Sequence, residues 1–150
     1  MRVPDSIDPA VGYRCWKVNL RTNRVESLNH HSVWIPYEVF AAECRVRGHL
    51  PEEVPVQNCT CGTYAAATFN RLFDMGYTKI GGLFSGEPGD TIIAGTVNIW
   101  GGIVPGTHGW RAQFAYPKKF LIPYAHARIA VKIAAEYGVP FKLFNTYRRH

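Results

Sequence analysis

No apolar run in the sequence approaches the roughly 20 residues that a membrane-spanning helix needs. The opening residues, MRVPDSIDPAVGYR, lack the apolar core of a secretory signal, so export is not expected and a cytoplasmic location is. Nothing repeats at a fixed period and no tract is of low complexity, which sets aside solenoids, propellers and linker-like chains. Phosphate-loop chemistry is poorly supported. The stretch 81–86 is glycine-rich but has no Walker lysine, and Gly101-Gly102 opens no helix. A nucleophile elbow is missing too, and the adjacent Glu52-Glu53 sit in a loop with no sign of a cleft. Acidic side chains are scarce in one half only. Residues 76–150 hold three acidic and nine basic side chains, whereas residues 1–75 hold eight of each. The net charge of +6 therefore belongs to the C-terminal half. Such asymmetry suggests an anionic partner, namely nucleic acid, a nucleotide or an acidic protein. A solvated, solubilising surface is the plain alternative.

What is present suffices for one compact domain. Of 150 residues, 47% are hydrophobic and 13% aromatic, enough to fill a core. Residues 1–11 read as a flexible or extended arm. Residues 12–20 alternate as a strand, with Arg14, Trp16, Val18 and Leu20 on one face and Tyr13, Cys15 and Lys17 on the other. A polar turn at 21–24 leads to a short returning strand at 25–28, then to a loop holding His30-His31 and Trp34-Ile35-Pro36. Residues 37–47 fit a helical turn or a strand equally, and residues 49–62 are irregular. Thr63 is placed to cap a helix over 64–75, whose apolar face is Ala65, Phe69, Leu72 and Phe73. Residues 81–90 form a loop. Residues 92–104 read as a long strand with glycine bends at Gly95 and Gly101-Gly102. After the turn at 105–109, residues 110–116 pair back, with Arg111 and Gln113 on the face opposite Trp110, Ala112, Phe114 and Tyr116. A second helix spans 124–137, with a stripe of His126, Ile129, Ala130, Ile133, Ala134 and Tyr137, and ends at Gly138-Val139-Pro140. Residues 141–147 close the chain as a strand. The class is α+β: a bent antiparallel sheet, or a partly closed small β-barrel, flanked by two helices.

Three of the four cysteines share a short stretch with a histidine, as Cys44-x4-His49-x9-Cys59-x-Cys61. Three sulfurs and an imidazole make a tetrahedral set of the kind structural zinc takes. Such a site is closed, with Cys15 left outside, and would pin the irregular loop to the helix beginning at Tyr64. Two other readings stay open: small thiols packing as hydrophobes, and disulfides, for which four cysteines allow three connectivities. The same residues also fit a thiol enzyme, with Cys59 or Cys61 made nucleophilic at a helix start and His49 as base.

Trp110-Arg111 suits base stacking and phosphate contact, and Trp100 on the neighbouring strand would extend that platform. The bland reading puts at least one of the two tryptophans in the core. His30-His31 and His108 lie in turns, where a histidine is usually a surface residue.

The blocks Cys59-Thr60-Cys61-Gly62-Thr63-Tyr64-Ala65, Gly95-Thr96-Val97-Asn98-Ile99-Trp100-Gly101, Gly109-Trp110-Arg111-Ala112-Gln113-Phe114 and Tyr137-Gly138-Val139-Pro140 follow one another in an order with a family look. It resembles a group of small uncharacterised proteins of actinobacteria and their phages, over most of residues 12–140. The resemblance implies a bacterial or phage cytosolic origin and carries no activity. A bent barrel with this hairpin is also similar to PUA-type modules that bind RNA or modified bases, a likeness of fold alone.

These readings lead to a first expectation of a non-enzymatic, phage-encoded binding module that engages nucleic acid or a nucleotide. Trp110, Arg111, Lys118, Lys119, Arg128, Lys132, Arg148 and Arg149 would supply stacking and charge. The alternative is a phage protein that binds a host protein through an apolar patch holding Trp34, Tyr37 and Phe40. A metal- or thiol-dependent enzyme is the third.

Overall fold

The structure is a computed structural model and describes residues 3–28, 32–74 and 90–144. Most of the loop 81–90, the His30-His31 pair, and Arg148 and Arg149 lie outside the described residues. In chain order the elements are β1 (Val3–Asn19), β2 (Arg24–Glu26), β3 (Phe40–Ala41), β4 (Thr63–Ala66), α1 (Phe69–Asp74), β5 (Asp90–Pro105), β6 (Gly109–Pro123), α2 (Ala127–Tyr137) and β7 (Phe141–Phe144).

Alternating apolar residues and a Pro-Gly turn make β5 and β6 a long hairpin, running from Pro105↔Trp110 to Ala94↔Leu121. Its register slips twice. At Thr96/Val97 the extra residue is Lys118, since Thr96 faces Lys119 and Val97 faces Pro117. At Trp100/Ile103 the slip coincides with Gly101 at φ +77°. Bulges bend a sheet, and these two curl the hairpin. β1 pairs with β5 on one side, and β4 pairs with β6 on the other. β4 also meets β1 at Tyr13↔Ala66, so the pairing β1–β5–β6–β4 returns on itself at one end. This closure needs glycine at position 12, because a Cβ there would sit 2.6 Å from the Cβ of Ala65. At the other end β2 and β3 are the outer strands of the pairing path and the ring stays open. The sheet is thus mostly antiparallel, bent and partly ring-like, and it is not a true barrel.

Inside the ring, Trp16 meets Trp34 and Phe120 edge-on at 5.5 and 5.6 Å, and Phe120 meets Tyr137 at 5.7 Å. Such edge-to-face contacts add to the area that the rings bury. α2 covers this core with Ala130, Ile133, Ala134 and Tyr137, as its stripe predicts, and Gly138 stops it in the left-handed region. The Tyr137 hydroxyl accepts from the Val25 amide at 2.8 Å and donates to the Trp34 carbonyl, tying α2 to β2 and the loop beyond it. On the sheet's other face Cys15, Ile92, Ala94 and Leu121 pack with Leu72 of α1.

Several expectations need correction. The helix expected over 64–75 is a strand followed by a short helix, because Thr63–Ala66 finds ladder partners on β6 and β1. Tertiary pairing there overrides the helix propensity of Tyr-Ala-Ala-Ala. β6 continues seven residues beyond Tyr116, to Pro123, because Pro117 falls at the first bulge, where a strand tolerates proline. Of the strand expected over 141–147, residues 145–147 lie outside the described residues; β7 runs parallel to β6, an arrangement that α2 makes possible as the crossover. Residues 3–11, read as a flexible or extended arm, are extended and form the N-terminal part of β1. No helix among the described residues is long and apolar enough to cross a membrane.

Candidate metal centre

The irregular segment 42–62 lies against β6. Ala42, Val54, Cys59 and Cys61 form a small apolar cluster of their own, with Cys44 and Val56 at its edge. Within it the ligand atoms of Cys44, His49, Cys59 and Cys61 all lie within 4.8 Å of one another. The Cys44 and Cys59 sulfurs are 3.7 Å apart, and the Cys44 sulfur is 3.2 Å from Nδ1 of His49. These four residues are close enough to hold a metal ion. None of the four cysteines is in a disulfide, and Cys15 is not part of the group.

Backbone amides support two of the sulfurs. Arg47 N–H donates to Cys44 Sγ and Val56 N–H to Cys61 Sγ, each at 3.4 Å. Amides of this kind orient and stabilise thiolate ligands. The Arg47 amide, followed by amides of His49 and Val46 and the His49 ring, brings the Cys44 thiol down to about 5 against the opposing effect of burial. Burial dominates at Cys61 and pushes its thiol up. A nucleophilic Cys61 at a helix start is therefore not what the structure shows, since Cys61 precedes a strand and has no helix dipole behind it.

β6 holds the whole segment. The Arg111 guanidinium donates to the carbonyls of Cys61 at 2.6 Å, Val56 at 3.2 Å and Gln57 at 3.2 Å. Two positions along the same face, Gln113 donates to the Pro51 carbonyl at 3.2 Å and accepts from Gly102 N–H at 3.1 Å. Gly62 lets the chain pass Arg111 this closely. Its φ is +118°, and a Cβ would lie 2.9 Å from Pro55 Cβ and 3.0 Å from Arg111 Cβ. Sequence reasoning missed Gln113 as a support and gave Arg111 another role. The only available signal was that the two share a strand face.

The remaining predicted residues that are described lie on β6 and α2. Trp110 is half-buried against the main core, and Trp100, also half-buried, leans on Phe114 at 6.0 Å. Lys118 is exposed at the bulge, Lys119 is half-buried on β6, and Arg128 and Lys132 are exposed on α2. Arg111, expected at a phosphate, is engaged by three carbonyls. Of the apolar patch expected for a protein partner, Tyr37 is 75% exposed, but Trp34 is buried and stacks on Phe40 at 4.2 Å. Trp34 is thus a core residue, sealed in by Tyr137 and Trp16.

Comparison with protein-family models, curated proteins and solved structures gives no match.

Proposed function

We propose that Cys44, His49, Cys59 and Cys61 hold a structural zinc ion, and that the protein is a non-enzymatic binding module for an anionic partner, nucleic acid or a nucleotide. The carrying observation is the convergence of three thiols and one imidazole within 4.8 Å. A zinc–sulfur distance of about 2.3 Å puts tetrahedral sulfurs about 3.8 Å apart, and the 3.7 Å between Cys44 and Cys59 fits that spacing. Four protein donors fill a tetrahedral shell, so the ion stabilises the segment 44–61 and leaves no position for substrate. Its binding energy is folding energy for a segment with little regular structure of its own.

The anionic partner is supported by the charge of the C-terminal half and by the exposure of Lys118, Arg128 and Lys132. Arg128 and Lys132 stand one helical turn apart on the solvent side of α2. The test is binding of a labelled single-stranded oligonucleotide across a salt series. Affinity should fall steeply with salt, and the double variant Arg128→Glu/Lys132→Glu should lose binding while unfolding at the same temperature. Salt-insensitive binding, or none at low salt, removes the reading.

A second reading, a protein partner, rests on one observation. Among the described residues, six of the twelve exposed large hydrophobic ones fall in 33–50: Val33, Ile35, Tyr37, Val39, Val46 and Leu50. A nuclease-resistant stoichiometric complex from bacterial lysate would favour it.

A further inference from the structure

The three thiols of the metal centre differ in what reaches them and in what holds them. Cys44 is half-buried, whereas Cys59 and Cys61 are 8% and 5% exposed. A small oxidant arriving from solvent therefore meets Cys44 first. The Arg47 amide donates to its sulfur, which favours the thiolate, the form that attacks peroxides. Cys61 is fixed from two sides. Arg111 holds its carbonyl at 2.6 Å, the Val56 amide holds its sulfur at 3.4 Å, and β4 begins two residues on. Neither Cys44 nor Cys59 lies in a strand or helix, and their sulfurs are 3.7 Å apart. A disulfide of about 2.05 Å needs each sulfur to move by less than about 1 Å, which irregular backbone allows. The clamp on β6 acts through the carbonyls of Pro51, Val56, Gln57 and Cys61, none of which is a metal-ligand atom. Loss of an ion therefore leaves the segment attached to the sheet.

We propose that, given the zinc centre proposed above, Cys44 is a site of reversible oxidation by hydrogen peroxide, with Cys59 as the resolving thiol. The Cys44 thiolate attacks one peroxide oxygen and the O–O bond breaks. Cys44 becomes a sulfenic acid, and the departing hydroxide takes a proton from solvent to leave as water. The Cys59 thiolate then displaces the sulfenic hydroxyl, which leaves as a second water with another solvent proton, and the Cys44–Cys59 disulfide forms. Two electrons pass from the two sulfurs to one peroxide. Cys61 and His49 are then the only donors left where structural zinc takes four, so the ion is released. A dithiol reduces the disulfide and restores the site.

The test is a peroxide titration of the zinc-loaded full chain. A chromogenic chelator reports released zinc, and peptide mass mapping reports the state of each sulfur. One zinc should be released per peroxide consumed, with Cys44 joined to Cys59 and with Cys15 and Cys61 still reduced. Dithiothreitol with added zinc should reverse the change. Cys44→His keeps four zinc donors and removes the accessible thiol, so it should release zinc at least about tenfold more slowly. Mapping of the wild-type chain decides the matter even where Cys44→His does not fold. Retention of zinc in peroxide, a disulfide between any other pair, or release from Cys44→His at the parent rate overturns the proposal and leaves the zinc centre standing. A chain that holds no zinc before peroxide is added overturns both.

Discussion

Replacing Arg111 with alanine removes three hydrogen bonds that no other side chain can remake. Each joins a charged donor to a backbone carbonyl of the metal-centre segment, at 2.6, 3.2 and 3.2 Å. A hydrogen bond to a charged group contributes about 1.5–3 kcal/mol. The three are not additive, because the Gln57 carbonyl is exposed and water will replace the guanidinium there. The Cys61 and Val56 carbonyls are only partly accessible. The expected loss is therefore about 2–4 kcal/mol, which for a chain of this length lowers the unfolding temperature by about 5–15 °C. Arg111→Lys should recover only part of this, since an ammonium lacks the planar fork that spans several carbonyls. Circular dichroism melts give the stability, and chelator competition at fixed temperature gives the metal affinity. Both should fall together, because the Cys61 carbonyl that Arg111 holds belongs to a ligand residue. A melt within about 1 °C of the parent, as for an ordinary surface substitution, with unchanged metal affinity, would refute the reasoning.

Cysteine chemistry should divide the four thiols. Chelator treatment should expose Cys44, Cys59 and Cys61 to iodoacetamide while Cys15, buried in the sheet, stays unmodified until the protein unfolds; labelling of native Cys15 contradicts this. Burial pushes Cys15 up from 9.0 and Tyr137 up from 10.0, each to about 12. The folded state keeps these protons where the unfolded state releases them, so stability should fall from about pH 9 upward until about pH 12. Urea midpoints that stay level between about pH 8 and 11 contradict the shifts, and Cys15→Ala should flatten part of the slope. Tyr137→Phe should cost about 2–4 kcal/mol, because it leaves the Val25 amide and the Trp34 carbonyl buried without their shared hydroxyl. A calorimetric loss below 1 kcal/mol would show that water reaches both groups.

Local signals carried well from sequence to structure. Helix α2 was readable because its stripe and its Gly138-Val139-Pro140 stop lie within one turn of each other. The hairpin was readable because Pro105-Gly106 separates two alternating runs. The cluster of Cys44, His49, Cys59 and Cys61 was readable because all four fall within 18 residues with little regular structure between them. What failed was decided across distance. Nothing near Thr63 says that β6 will offer it a ladder, and helical spacing of Ala65, Phe69 and Leu72 was the stronger local pattern. Arg111 reaches carbonyls 50 to 55 positions away, a contact set only by the register of β4 on β6. Trp34 beside Pro36 looks like a loop residue until α2 brings Tyr137 over it. The strand read over 110–116 is shorter than β6 because the bulge that accommodates Pro117 depends on β5.

Native mass spectrometry of the purified chain tests the metal centre most directly. One zinc ion per chain is expected, retained in Cys15→Ser and absent from Cys59→Ser. A folded wild-type chain free of metal after incubation with zinc, or a Cys59→Ser chain that keeps the ion as tightly as the parent, would contradict it.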